Sequence, residues 1–145
     1  MAAAGVKDGF VISGMAQNNN DPLTRRDVGM EFLDVTDKAE LALDTRSRNN
    51  GMQDDTWIVK NTSNYFIDNH LLAIIKGLPA DVELANASGK TQEGEFPYLR
   101  VYLEGGVIKP AATMKMQLKF IDKRKQDNSQ PFSYEITLKS GHGKP

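Results

Sequence analysis

Between Ala112 and Gly141 the chain alternates apolar and polar residues in two runs separated by a charged stretch. In the first, Met114, Met116, Leu118 and Phe120 are interleaved with Thr113, Lys115, Gln117 and Lys119. In the second, Phe132, Tyr134, Ile136 and Leu138 are interleaved with Ser133, Glu135, Thr137 and Lys139. Successive side chains on a strand point to opposite faces, so each run predicts a β-strand that is apolar on one side and wetted on the other. Strands of this kind belong to antiparallel sheets with one buried face.

The upstream sequence follows the same rules. Thr36 to Leu43 has a capping residue and helix-favouring Ala39, Glu40 and Leu41, yet Leu41 and Leu43 alternate with Ala42 and Asp44, which predicts a strand. Asn49-Asn50-Gly51 supplies residues that tolerate positive φ and predicts a hairpin into Gln53–Lys60. In that strand Asp55, Trp57 and Val59 share one face. The run Leu71–Ile75 has strand length, Gly77-Leu78-Pro79-Ala80 interrupts it, and Val82 and Leu84 turn inward on a short strand within Asp81–Ala87. Pro97–Leu103 follows the Ser88–Glu95 loop. Residues 1–30 are poorly patterned: Phe10-Val11-Ile12 suggests an edge strand and Gln17–Pro22 a polar turn. A domain over residues 31–140 is expected, with residues 141–145 as a flexible, glycine-rich tail.

About seven to nine short strands bounded by Gly, Pro, Asn or Asp clusters predict an all-β sandwich. Connections too short for crossover helices make its sheets mainly antiparallel.

At 145 residues the chain is one domain by length. A formal net charge of -1 argues against nucleic-acid binding, which calls for a basic face. Arg25-Arg26 and Lys123-Arg124-Lys125 read as solvated loops. The absence of cysteine excludes disulfides, thiolate metal sites and a cysteine nucleophile. No apolar run approaches the ~18–20 residues of a helical membrane span. Met1–Gly5 lacks the basic and apolar regions of a signal peptide, so the expectation is a protein that is not exported or an excised domain.

From Leu41 to Leu138 the order of motifs resembles an immunoglobulin-like or fibronectin-like domain found at the ends of bacterial secreted hydrolases and surface proteins. Three steps carry the resemblance: Trp57-Ile-Val-Lys-Asn-Thr-Ser63; Leu71-Leu-Ala-Ile-Ile-Lys-Gly-Leu-Pro-Ala-Asp-Val-Glu-Leu-Ala-Asn-Ala-Ser-Gly89; and Gly106-Val-Ile-Lys-Pro-Ala-Ala-Thr113 with the alternating strand after it. Asp81 and Ala111 stand where that pattern usually carries Gly. The resemblance implies an immunoglobulin-like sandwich and a non-catalytic extracellular or cell-surface role, as spacer, as support for a catalytic neighbour, or as a sugar-binding module. Fold does not choose among these.

Catalytic chemistry is poorly provided for. Of the two histidines, His70 adjoins the apolar run and His142 lies between glycines. No nucleophile-elbow motif is present. Asp54-Asp55, Asp68 and Asp81 offer oxygen ligands, but no Asp-x-Asp-x-Asp-Gly loop occurs; no enzyme, metal or cofactor is expected. Asn61-Thr-Ser63 and Asn86-Ala-Ser88 fit the glycosylation sequon, although turn chemistry accounts for both. Trp57 is expected in the core. In Pro97–Leu103, Leu99, Val101 and Leu103 form the buried set, which leaves Tyr98, Arg100 and Tyr102 on the outer face. Two planar aromatics flanking a hydrogen-bonding cation suit a polysaccharide or a neighbouring protein domain, and these three residues are the candidate ligand-binding set. The alternative is a structural spacer or a self-assembling surface or filament subunit, oligomeric through an exposed strand edge.

Overall fold

The computed structural model describes residues 32–125, 131–143 and 145. The poorly patterned residues 1–30, with the edge strand expected at Phe10–Ile12, lie outside the described residues. The strands are β1 (Phe32–Asp34), β2 (Ala39–Asn49), β3 (Met52–Asn61), β4 (Ile67–Asp68), β5 (Leu71–Lys76), β6 (Val82–Leu84), β7 (Gly89–Lys90), β8 (Pro97–Val101), β9 (Val107–Ile108), β10 (Thr113–Asp122) and β11 (Glu135–Gly141). Eleven strands among the described residues exceed the expected number because β1, β4, β7 and β9 are two or three residues long. Elements that short display no period.

One sheet has the order β2-β3-β10-β6 and the other β1-β11-β5-β8-β7, with β4 and β9 forming a separate two-stranded ribbon. All pairings among the described strands are antiparallel. The fold is an all-β antiparallel sandwich. Its first sheet follows the A-B-E-D order of immunoglobulin-type sandwiches, and β5 beside β11 follows their C-F pairing. The edge beyond β11 is taken by β1, which comes from the other end of the chain. The two alternating runs, β10 and β11, lie in opposite sheets rather than pairing with each other.

The alternation places the core as expected. Met116, Leu118 and Phe120 are buried from β10, Leu138 from β11, and Val82 and Leu84 from β6. Two apolar clusters fill the interior. One gathers Val59, Leu71, Ala73, Val101 and Leu138; the other gathers Ile75, Leu84, Leu118, Phe120 and Phe132. Trp57, Leu99 and Ile136 pack against both and join them. All five residues Leu71–Ile75 are buried, which identifies β5 as a strand covered on both faces.

Asn50 (φ 53°) and Gly51 (φ 77°) form the two-residue turn between β2 and β3, the type I′ geometry that matches strand twist. The helix-or-strand segment resolves into both kinds of structure. Thr36–Lys38 makes a single 3-10 turn and the strand begins at Ala39. Thr36 leaves the ladder because its hydroxyl Oγ1 accepts the Leu138 N–H at 2.9 Å, while the Val35 N–H donates to the Leu138 carbonyl at 2.8 Å.

The register of β2 on β3 shifts between Leu43 and Thr45. Asp44 is the extra residue of this bulge, and its carboxylate meets the Lys115 Nζ at 3.2 Å on the outer face. A one-residue insertion inverts side-chain parity. Leu41 therefore faces the interior before the bulge, and Arg46 and Arg48 face it afterwards.

Those arginines meet buried acids. Asp55, fully buried, accepts from Arg46 Nε at 2.8 Å, Arg46 Nη2 at 2.9 Å, Gln53 Nε2 at 3.0 Å and the Tyr134 hydroxyl at 2.5 Å. Tyr134 in turn accepts from Trp57 Nε1 at 2.8 Å. Asp122 accepts from Arg124 Nη2 at 2.7 Å and from Arg48 Nη2 at 3.0 Å, and Arg48 also donates to the side-chain oxygen of Gln53. Burial opposes ionisation of Asp55, but the hydrogen bonds from Arg46, Tyr134 and Gln53 outweigh it and hold its carboxyl below the usual range. The side chain of Arg124 does the same for Asp122 against its own burial, helped by the Arg124 backbone and Arg48.

Asp55→Ala leaves Arg46 and Tyr134 without their acceptor and should destabilise the fold by about 3–5 kcal/mol. Tyr134→Phe should cost about 1–3 kcal/mol. Urea unfolding checks both. Carboxyls depressed in the folded state contribute stability above their unfolded value of about 3.9 and lose it as pH falls toward the folded value. Thermal melts should therefore be flat from about pH 7 to pH 5 and fall steeply below about pH 4, less steeply in Asp122→Asn.

Ala111, where the resembling pattern has Gly, sits at φ 68°, whereas Asp81 does not adopt a positive φ. A left-handed L-residue is strained by roughly 1–2 kcal/mol, partly offset by the chain entropy that glycine adds. Ala111→Gly should raise stability by about 0.5–1 kcal/mol in the same assay.

Candidate functional site

Strand β8 is pinned by β5 on one side, with Leu72 opposite Arg100 and Ile74 opposite Tyr98. On the other side, among the described residues, only the two residues of β7 accompany it. As parity requires, Val101 and Leu103 are buried and Leu99 packs into both clusters. The outer residues have different surroundings. Tyr98 is half-buried, and its phenol lies so close to Gly89 that a Cβ there would stand 2.8 Å from the hydroxyl oxygen. The tyrosine thus covers its neighbouring strand, and Gly89 is the residue that admits it.

Arg100 is exposed, its backbone N–H held by the Ser88 Oγ at 2.8 Å. Tyr102, just past the end of β8, is 81% exposed. Together Arg100 and Tyr102 border a cleft of about 380 Å³ whose opposite wall is Asn69 and His70. The other side of Tyr102 faces a second groove of about 660 Å³, with Glu104, Lys109 and Lys115 on its walls. Tyr102 thus borders two hollows. Of the three candidate residues, the structure brings Arg100 and Tyr102 together at one cleft and places Tyr98 apart from it.

His70 and His142 complete this region. Their rings meet edge to face with centroids 5.4 Å apart and planes at 82°. The backbone holds them there: the His70 N–H donates to the Gly141 carbonyl and the Gly141 N–H to the His70 carbonyl, both at 3.0 Å. Burial, reinforced by the charges of Arg100 and His142 and opposed by Asp68, pushes the His70 imidazole below its ordinary pKa. Sequence reasoning did not join these residues. The pairing depends on the β5–β11 register, which separate strand assignments do not supply.

The chain beyond β11 passes toward the 91–96 loop, where the Gln92 N–H donates to the Pro145 carbonyl at 3.0 Å. There a cleft of about 550 Å³ is bordered by Lys76, Phe96, Lys139 and Pro145, with the Lys76 Nζ 5.1 Å from the centre of the Phe96 ring.

Other polar residues serve the scaffold. Asn61 is fully buried and donates to the carbonyls of Tyr65 and Ile108 at 2.6 and 2.8 Å. Asn86 reaches across to β10, donating to the Gln117 carbonyl at 2.9 Å and accepting the Lys119 N–H at 3.1 Å. Both sequon asparagines are thus engaged by backbone, as their turn chemistry suggests. Among the described residues no three His, Asp or Glu side chains converge as metal ligands. Asp55, one of the oxygen donors that the sequence offered, is committed to Arg46. Among the described residues no helix is long and apolar enough to cross a membrane.

No protein-family model matches this chain, and no curated protein matches it in sequence.

Proposed function

We propose that this sandwich is a non-catalytic carbohydrate-binding module of a bacterial extracellular or cell-surface protein, or a binding support for a catalytic neighbour, with Tyr102 as its stacking platform. The observation that carries the reading is the 81% exposure of the Tyr102 ring between two hollows, with Arg100 beside it. A tyrosine that covers nothing gives up apolar burial; a pyranose face restores it while the phenol stays wet. Arg100, His70 and Asn69 supply donors around the platform, and the sandwich beneath holds them in place.

Affinity electrophoresis through gels containing single polysaccharides tests this. Tyr102→Ala should abolish retardation while leaving the melting temperature within about a degree or two, as expected for an exposed site. Tyr98→Ala should instead lower stability, because its ring covers Gly89. Absence of retardation on every polysaccharide would sink the proposal.

A specific feature favours the second reading, assembly through a strand edge. β2 is eleven residues long, forms the edge of its sheet among the described strands and leaves Leu43 40% exposed. Concentration-dependent association in sedimentation velocity, lost in Leu43→Lys, would support assembly instead.

A further inference from the structure

Among the described residues that line the cleft beside Tyr102, Arg100 is a cation and none is a carboxylate. Arg100 stands across from Leu72, and Leu72 from Lys139, so the next cation lies two strands away on the same face. Lys139 is offset by the charge of Asp34. Among the described residues no carboxylate forms an ion pair with Arg100. His70 lines the same cleft and carries His142 on its edge. The groups that act on His70 are Arg100 from β8, His142 from the segment after β11, and Asp68 from β4. Only the last is acidic.

We infer that the saccharide held on Tyr102 bears a carboxylate, as a uronate does, and that Arg100 is its anion anchor. This inference rests on the carbohydrate-binding reading and narrows its ligand class. A guanidinium presents a planar fork that matches a carboxylate bidentately, and an unpaired one is free to do so. Tyr102 takes the face of the ring and Arg100 the acid at its rim. His70 adds charge as it protonates. Burial and the Arg100 charge push His70 below its ordinary pKa, so Arg100 is the permanent charge there. As pH falls below the ordinary imidazole range of about 6.5, the His70 imidazole joins it. A uronate remains ionised over that range, and its binding tightens as pH falls; a neutral sugar has no such response.

The test uses the whole chain and three probes: polygalacturonate, its fully methyl-esterified form, and poly-glutamate. Calorimetry or affinity electrophoresis should give binding to polygalacturonate at least about tenfold tighter than to the ester, the size of one charge-assisted interaction. Arg100→Gln should shrink that difference to less than about twofold. Arg100→Lys should restore only part of it, since the charge returns without the fork. Polygalacturonate affinity should rise as pH falls below about 6.5, where the His70 imidazole begins to charge. Equal binding of acid and ester overturns the inference and leaves carbohydrate binding standing. Binding of poly-glutamate as tightly as polygalacturonate overturns it in favour of charge without sugar recognition. Retention on none of these probes or on neutral polysaccharide gels overturns both readings.

Discussion

The interior of this sandwich contains a carboxylate, and much of the structure answers to it. Asp55 lies on the inner face of β3, fully buried, where an unpaired charge is prohibitive. Its four hydrogen bonds come from three places: Arg46 on β2, Gln53 on β3 itself and Tyr134 just before β11. Arg46 faces inward because the bulge at Asp44 inverts the parity of β2. Tyr134 belongs to the segment that leads from one sheet to the other. The carboxylate therefore ties together a hairpin and the crossing between sheets. The same arginine row passes through Arg48 and Gln53 to Asp122 and Arg124. Apolar packing supplies the bulk of the core, while this network fixes which strands meet and in what register.

Period-two alternation made the fold class, the inward sets of β6, β8, β10 and β11, and the Asn50-Gly51 hairpin legible from sequence. It also placed Asp55 on the face of Trp57 and Val59. Its arginine partner was not legible, because a bulge breaks the very period from which parity is read. The burial of Leu72 and Ile74 was partly legible in the unbroken apolar run, which is how a strand covered on both faces reads. What covers the outer face was not. β1, β4, β7 and β9 are too short to carry a pattern.

The candidate site shows the same division. Local parity correctly separated Leu99, Val101 and Leu103 from Tyr98, Arg100 and Tyr102. Parity says which face a residue takes but not whether that face is covered. Gly89 leaves room for Tyr98 to settle against its neighbour, while β8 ends before Tyr102 and no adjoining strand among the described residues shelters it. The difference between a covering tyrosine and an exposed one is a difference between their neighbours. His70 and His142 came into view only through the pairing of His70 with Gly141.

The two polar centres lie toward opposite ends of the sandwich. Asp55 and Asp122 accompany the cluster of Phe120 and Phe132, whereas Asn61 sits beside Ile108 and the Tyr102 cleft lies near the cluster of Leu71 and Val101. About 20 Å of extended strand separates Asp55 from Asn61. Sites that far apart, without shared partners, respond nearly independently to substitution. Rigidity is set at one end by buried, fully bonded charge. At the other end a guanidinium and a phenol are left open, on a strand whose buried side is anchored in the core. An exposed cation beside an exposed ring is accommodated there because neither packs into the apolar clusters of the core.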